Sequence, residues 1–199
     1  MNYSQASQDL FVLLMTQYKR GGTFLEIGSN DPIQTSNTYL LESKYEWTGI
    51  MVEYDASFKD AYKSLRPGSK HVFQDARTVD YACLLESKPT MDYLQIDLDV
   101  DNRSTLDTLE LLDKTVFDTT KFAVVTFEHD IYTGDYFSTR AKSREIFAKR
   151  GYQLVCPDVA VHFNGARCEF EDWYVHPDLV ANVQSLNKSF YHNEIISFY

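Results

Sequence analysis

The stretch Phe24-Leu25-Glu26-Ile27-Gly28-Ser29-Asn30-Asp31-Pro32 decides the fold of this chain. An apolar run leads into an acid, a single glycine and a group of turn-forming residues. This pattern predicts a short strand over Thr23–Ile27, buried on both faces, that stops at a loop. In open α/β sheets, loops at the carboxyl edge of the strands form the ligand site. The stretch therefore predicts a strand that ends at a ligand.

The same pattern recurs along the chain. Further apolar strands are predicted at Trp47–Val52, His71–Gln74, Met91–Ile96, Lys121–Phe127, Tyr152–Val155 and Phe170–Val175. Helices are predicted between them, and a short last helix is predicted at Pro177–Gln184. Alternating strands and helices indicate βαβ units with right-handed crossovers. We therefore predict an α/β, Rossmann-like fold with a mostly parallel, seven-stranded sheet and helices on both faces.

One segment near the end of the chain has two interpretations. Residues 162–172 contain Asn164-Gly165, a pair typical of a two-residue hairpin turn. The same segment also suits a loop that contacts a second substrate. The sequence leaves both open.

Composition and charge narrow the function classes. The chain has 199 residues, 44% of them hydrophobic, and a formal net charge of −10, which argues against a nucleic-acid partner. It has no apolar run of the ~18 residues that a membrane span needs, so we expect no membrane insertion. The three cysteines, Cys83, Cys156 and Cys168, have the spacing of neither a disulfide framework nor a zinc knuckle. We expect one domain over residues 1–199 in a cytoplasmic protein.

Five successive predicted strands end at an acidic residue. Parallel strands place their carboxyl ends on one edge of the sheet, so these acids are expected to gather there. They are Glu26, Glu53, Asp75, Asp97 and Glu128.

The first of these loops has a charge that bears on the ligand. The loop starts at Gly28 and reads G-S-N-D-P-I. It lacks the G-x-G-x-x-G pattern that binds a pyrophosphate. Glu26 and Asp31 would repel a pyrophosphate. A cationic nucleoside such as S-adenosylmethionine has a sulfonium and an amino group in place of the phosphates. The loop therefore favours S-adenosylmethionine over a dinucleotide.

These residues together resemble a known family. F-L-E-I-G-S-N, the acid after the second strand, Q-D-A after the third and I-D after the fourth resemble the cofactor motifs of class I S-adenosylmethionine-dependent methyltransferases. S-Q-A-S-Q-D-L-F-V, L-Q-I-D-L-D-V-D and F-E-D-W-Y-V-H-P are similar to the FkbM-type branch, whose members commonly O-methylate sugars and glycosylated natural products. The resemblance spans nearly the whole chain. FkbM-type sequences usually have an acid followed by E-G after the fourth strand, whereas Asp97 here is followed by L-D-V-D.

The resemblance implies roles for the first loop. Glu26 and Gly28 would lie at the methionine end of S-adenosylmethionine. Ser29 and Asn30 would supply further loop contacts.

It also implies the residues that hold the nucleoside. Glu53 would bind the ribose, and Asp75 would accept from the adenine amino group with the Ala76 amide nearby. Tyr54 would pack on the adenine ring. Gln8 would reach the cofactor from the first helix, although it also suits a polar position at the start of that helix.

The acceptor side requires a base or a metal, because a sugar hydroxyl is a poor nucleophile until it loses its proton. The candidates for this role are Asp97, Asp99, Glu128, His129 and Asp130. Of these, Asp97, Glu128 and His129 are the predicted catalytic residues. The fourth and fifth strands are expected to be neighbours, which would bring Asp97 close to Glu128. Together with one imidazole, such carboxylates suit Mg²⁺ or Mn²⁺, so the same three residues are the candidate metal ligands. Tyr132, in the loop that follows, is expected to contact the acceptor.

Two other functions stay open. Asp97-Leu98-Asp99 matches the D-x-D pattern of metal-dependent glycosyltransferases. The second open function is that of a non-catalytic domain, which keeps the fold and acts as a partner module. The chain is also compatible with one domain of a longer enzyme, fused to or associated with domains that assemble the glycan it methylates.

Overall fold

The computed structural model describes residues 3–86, 88–133 and 137–181. This part of the chain forms seven strands: β1 Thr23–Ile27, β2 Thr48–Glu53, β3 Lys70–Phe73, β4 Thr90–Ile96, β5 Lys121–Glu128, β6 Gln153–Phe163 and β7 Ala166–Val175. It also forms six α-helices: α1 Gln8–Met15, α2 Tyr39–Tyr45, α3 Lys59–Leu65, α4 Tyr81–Leu84, α5 Ser104–Thr115 and α6 Phe137–Lys149. Single 3₁₀ turns follow three of the strands, at Ala56–Phe58, Ala76–Thr78 and Ile131–Thr133.

The seven strands form one sheet in the order β3-β2-β1-β4-β5-β7-β6. Strands β3, β2, β1, β4 and β5 are parallel, and β7 runs antiparallel to both β5 and β6. The predicted α/β fold with a mostly parallel seven-stranded sheet is confirmed. The chain order reverses between β1 and β4, which is the switch point where open α/β sheets form their ligand crevice.

Helices cover both faces of the sheet, because the parallel strands are apolar on both sides. One core packs α1, α2 and α3 against the face that includes Phe24 and Tyr93. The other packs α4, α5 and α6 against the face that includes Leu25 and Leu94. Side chains of neighbouring strand residues point to opposite faces, so each strand contributes to both cores. No helix in the described part of the chain combines the length and apolar character needed to cross a membrane.

The segment with two interpretations forms a hairpin. Asn164 and Gly165 have φ angles of 50° and 77° and connect β6 to β7. Two positive φ angles fit the turn that matches the twist of a hairpin. Both strands are longer than predicted, and β6 continues through Pro157 because it is an edge strand with register irregularities between Leu154 and Ala160.

The predicted last helix differs from the structure. Residues 177–180 form a turn and a bend in which the amides of Leu179 and Val180 both donate to the His176 carbonyl. The remainder of that prediction, residues 182–184, lies outside the described residues. The first helix begins without a side-chain cap, and Ser7, which precedes it, has a left-handed φ of 69°. The Asp9 carboxylate instead accepts from the Tyr3 amide, the Ser4 hydroxyl and the Leu10 amide.

Candidate functional site

A cavity of about 510 Å³ opens at the carboxyl edge of β1, β2, β4 and β5. Its size is typical of small-molecule sites. Four of the five acids expected at this edge line it: Glu26, Glu53, Asp97 and Glu128. The fifth, Asp75, lies in a small adjoining recess that shares Tyr54, Leu98 and Val100 with the cavity. No lysine, arginine or histidine lies among the described residues that line either space.

The turn after β1 brings the backbone close to the cavity. Gly28 has a φ of 83°, and its amide and that of Ser29 both donate to the Val52 carbonyl, at 2.9 and 3.3 Å. A Cβ at residue 28 would lie 1.6 Å from the carbonyl oxygen of Asp97. Glycine is therefore required here both by the left-handed backbone and by the contact between the β1 and β4 loops.

Glu26 is buried and is held in place on the cavity wall. Its Oε1 accepts from the Asn37 amide at 3.1 Å, and its Oε2 accepts from the Thr38 hydroxyl at 2.6 Å. The buried Arg66 donates to the same Thr38 oxygen at 2.8 Å. Burial raises the pKa of Glu26 to about 7, against the lowering effect of Arg66 and the Thr38 bond. The Oδ1 atom of Asn37, also on the cavity wall, is buried without a hydrogen-bond partner.

Glu53 ends β2 and organises the loops around it. Its Oε2 accepts from the Asn30 amide and its Oε1 from the Asp55 amide, both at 2.8 Å. A carboxylate oxygen accepts more than one hydrogen bond, so both oxygens keep capacity for a ligand. This arrangement suits a pair of neighbouring hydroxyl groups.

Asp75 and Tyr54, the residues predicted to contact the nucleoside, both line the small recess. Asp75 accepts from the Arg77 amide and side chain at 2.8 to 3.0 Å, and these hydrogen bonds lower its pKa. Ala76 lines the same recess. Tyr54 is 69% exposed and lines both spaces, so its ring is available to a ligand.

Gln8 lies away from the cavity. Its side chain is buried, where Oε1 accepts from the Ala6 amide at 2.7 Å and Nε2 donates to Glu171 at 3.1 Å. These contacts connect the start of the chain to β7. Its neighbour Gln5, which the sequence analysis missed, is exposed and lines the cavity instead.

Three carboxylates form a cluster at the end of the cavity next to β4 and β5. One oxygen from each of Asp97, Asp99 and Glu128 lies within 4.8 Å of the others. Glu128 is only 7% exposed, and its Oε2 is buried without a hydrogen-bond partner. Burial raises the pKa of Asp97 to about 6. Burial and the nearby Asp97 raise the pKa of Glu128 well above its usual range. Two carboxyl groups this close and this buried resist ionising together, so Asp97 and Glu128 titrate as a pair.

A fourth acid, Asp130, borders this cluster. It lines the same cavity, and burial together with Asp97 raises its pKa to about 7. Asp97, Glu128 and Asp130, three acids at one end of the cavity whose pKa values are raised, indicate a site that would gain from a bound cation or from a proton on its ligand.

His129 does not join the expected trio with Asp97 and Glu128. Its Nε2 lies 3.5 Å from carboxylate oxygens of Asp158 and Asp172, and its Nδ1 accepts from the Ile131 amide at 3.2 Å. Arg144 binds the same two carboxylates at 2.7 to 2.8 Å. The reason is the alternation of the strand, since Glu128 and His129 are consecutive and point to opposite faces of the sheet.

The residues that line the cavity fit both groups that the sequence implied, S-adenosylmethionine and a divalent cation. The glycine turn, the two free acceptor sites on Glu53 and the absence of basic residues among the described lining suit a cationic nucleoside such as S-adenosylmethionine. Three clustered carboxylates with an unpartnered Glu128 oxygen suit a hard divalent cation.

Comparisons with known proteins identify the fold. No protein-family model and no curated protein matches the sequence. Solved structures do match in shape, among them the cofactor-bound Rv0187 from MTB, with 14% identity over 87% of this chain and 80% of that one and a TM-score of 0.59. A putative rRNA methylase from Clostridium thermocellum has 11% identity over 88% and 96%, with a TM-score of 0.56. A TehB-like SAM-dependent methyltransferase from Corynebacterium glutamicum has 14% identity over 85% and 87%, with a TM-score of 0.53.

These structural neighbours include SAM-dependent methyltransferases, and the expected Rossmann-like methyltransferase fold is confirmed. At these identities the likeness concerns the fold. The residues of the cavity have to carry any statement about the reaction.

Proposed function

We propose that this protein is an S-adenosylmethionine-dependent O-methyltransferase that acts on a hydroxyl group of a sugar or glycan, as FkbM-type enzymes do. The observation that carries the proposal is the acid-lined cavity at the switch point of a methyltransferase fold, with Asp97 and Glu128 side by side in it. Cofactor loops and an acceptor base share one cavity in this arrangement.

The cofactor half of the cavity would be formed by the loops after β1, β2 and β3. Glu26 and the unpartnered Asn37 oxygen would accept from the amino group, and Glu53 would accept from the two ribose hydroxyls. Tyr54 and Ala76 would contact the adenine, and Asp75 would accept from its amino group. When bound, S-adenosylmethionine supplies an electrophilic methyl group on a cationic sulfur.

The acceptor half would be formed by the loops after β4 and β5. A hydroxyl group held between Asp97 and Glu128 would lose its proton to the ionised carboxylate of Asp97. A base works best when its pKa lies near the operating pH, and burial raises the pKa of Asp97 to about 6. The protonated Glu128 would donate a hydrogen bond to the Asp97 carboxylate and so fix its orientation.

We further propose that Mg²⁺ or Mn²⁺ binds at Asp97, Asp99 and Glu128. Asp99 takes the place that the sequence analysis assigned to His129. This metal-bound form is an alternative to the metal-free base. The cation would displace the proton of Glu128, neutralise the clustered carboxylates and acidify the acceptor hydroxyl, so Asp97 would act as a ligand and not as the base.

Binding and transfer assays test the proposal against its alternatives. Calorimetry should show heat with S-adenosylmethionine and not with UDP-sugars, and labelled cofactor should transfer its methyl group to at least one neutral sugar or glycoside. Heat with a UDP-sugar alone would favour a glycosyltransferase that uses Asp97-Leu98-Asp99. Cofactor binding without transfer to any acceptor would favour a non-catalytic partner domain.

A further inference from the structure

A second, smaller pocket adjoins the acceptor side of the main cavity. It has a volume of about 170 Å³ and shares Gln5, Glu128, Asp130 and Tyr132 with the cavity. Its remaining walls come from the hairpin of β6 and β7, at Val161, Cys168 and Phe170. A ligand in this pocket would lie directly beside the acid cluster.

The two sides of the pocket differ in chemistry. Glu128 and Asp130 form a polar side, whereas Tyr132, Val161 and Phe170 form an apolar one. Tyr132 is 52% exposed, so its ring lies at the mouth, where a ligand can pack on it. A sugar ring has the same two characters, since its hydroxyl groups form a polar edge and its C–H groups an apolar face. Aromatic side chains bind such faces through their apolar area.

The pocket is attached to the fold on each side. The amides of His129 and Asp130 both donate to the Phe170 carbonyl, at 2.6 and 3.0 Å, and this fixes the start of the Tyr132 loop on β7. Val161 and Cys168 are direct partners across the hairpin. The walls are therefore positioned by strand pairing and exist without a ligand.

Gln5 lies at the junction of the two spaces. Its neighbours Ser4 and Ala6 are buried and tied down, by the bond from Ser4 to Asp9 at 2.7 Å and the bond from the Ala6 amide to Gln8 at 2.7 Å. Only the Gln5 side chain in this short segment is exposed. A fixed backbone with one free amide side chain is suited to orient a hydroxyl group between the two spaces.

The charge of the walls selects the acceptor. Neither space is lined by a basic side chain in the described part of the chain, and the acids Asp97, Glu128 and Asp130 face the junction. When no cation is bound at these acids, an anionic acceptor would meet repulsion with no compensating partner.

We infer that this small pocket binds the acceptor, and that the pocket admits uncharged sugars and excludes sugar phosphates. Val161, Phe170 and Tyr132 would hold the apolar face of the acceptor, and Gln5 would orient the acceptor. The inference rests on the proposed methyl transfer. Methylation would then follow the reaction that releases the sugar from its activated phosphate donor.

Two variants on consecutive residues of β6 test the pocket. Val161→Phe fills it, whereas His162→Phe places the same ring on an exposed neighbour outside it. The acceptors are the methyl glycosides of glucose, galactose and mannose, each with its 6-deoxy form, and the corresponding 1-phosphates. We expect kcat/KM for the best glycoside to fall at least tenfold in Val161→Phe and less than twofold in His162→Phe. The affinity for S-adenosylmethionine and the melting temperature should stay unchanged in both variants.

The acceptor series tests the charge selection in the wild-type protein. Each 1-phosphate should react at least tenfold less well than its glycoside. Equal or better use of the phosphates, or full activity of Val161→Phe, would overturn the inference while leaving methyl transfer in place. Failure of the wild-type protein to bind S-adenosylmethionine would instead remove the proposed function and this inference with it.

Gln5 is tested by Gln5→Leu, which keeps the size of the side chain and removes its amide. We expect KM for the glycoside to rise at least fivefold with the cofactor affinity unchanged. An unchanged KM would remove Gln5 from the acceptor site.

Discussion

The carbonyl oxygen of Asp97 lies 1.6 Å from the position that a Cβ on Gly28 would occupy. The loops that follow β1 and β4 are therefore in backbone contact. Nothing larger than a hydrogen atom fits between them. The two halves of the proposed site share this contact, so their spacing is set by the backbone of β1 and β4 and not by side chains.

Gly28→Ala tests this contact. We expect it to lower the melting temperature and to weaken S-adenosylmethionine binding at least tenfold, because the backbone at Asp97 has to move. Gly165→Ala is the control, since Gly165 has a similar φ of 77° with open space around it. The free energy of unfolding of that control should fall only by the cost of an alanine in the left-handed conformation, about 1 kcal/mol, and the control should bind the cofactor normally. Unchanged cofactor affinity in Gly28→Ala would show that the loop spacing does not matter for binding.

Asp97→Asn should separate catalysis from cofactor binding. We expect kcat to fall ~10²–10⁴-fold, as for loss of a general base, with the cofactor dissociation constant within threefold of wild type. In the metal-free wild-type protein, kcat/KM should rise with pH through about 6 and then level off, because Asp97 has to be ionised. The matched control is Asp60→Asn, an exposed acid on α3. A profile that still rises through pH 6 in the Asn variant would exclude Asp97 as the base.

Divalent cation binding can be measured without any acceptor. Chelator-treated protein should bind Mn²⁺, as read by water-proton relaxation, and Asp99→Asn should weaken that binding about tenfold through loss of one carboxylate ligand. Asp101→Asn removes an exposed acid that pairs with Arg77 outside the cluster, so its affinity should match wild type. Equal Mn²⁺ affinity in the two variants would argue against the site.

Glu171 should make the stability of the protein depend on pH. It is fully buried opposite Glu128 in the β5–β7 ladder, and burial raises its pKa to about 8. A carboxyl group that keeps its proton longer in the folded state stabilises the fold fully at low pH, and this contribution is lost as pH rises. The free energy of unfolding should therefore fall between about pH 5 and 8, by up to about 1.4 kcal/mol per pH unit for one group.

Glu171→Gln should make this slope shallower, while Glu26 and Glu128, whose pKa values are also raised, keep their own contributions to it. Denaturant titrations at a series of pH values provide the measurement. Glu169→Gln, on the same strand and half-buried, is the control and should keep the wild-type slope. A parallel curve for Glu171→Gln would mean that this carboxyl group is ionised in the folded protein.

His129→Gln should affect stability and leave methyl transfer intact. The buried imidazole lies beside Asp158 and Asp172, and its Nδ1 accepts from the Ile131 amide. Its loss leaves that buried amide without its acceptor, at a cost of about 1–3 kcal/mol. Thermal unfolding should show the loss, while kcat and KM stay within twofold of wild type. His162→Gln, which alters an exposed histidine, should change neither. A large fall in kcat for His129→Gln, without loss of stability, would return this residue to the catalytic site.

Several features of the fold could be predicted from local patterns. The apolar strands, their alternation with helices and the acids at their ends are properties of short stretches, and parallel pairing then brings those ends to one edge. Glu26, Glu53, Asp97 and Glu128 were placed in one cavity on that basis. The assignment of His129 was less successful, although the alternation of a strand was itself a signal that it would face away from Glu128.

The sequence by itself determined the fold class, the acidic edge and the loop charge that favours a cationic nucleoside, because each follows from local periodicity and from the sign of the charges. Only the tertiary structure decided that Gln5 and not Gln8 faces the cavity, that Asp99 completes the carboxylate cluster, and that the β6–β7 hairpin closes a second pocket beside it. These are contacts between segments far apart in the chain, and they depend on strand register, side-chain direction and burial, which no short stretch encodes.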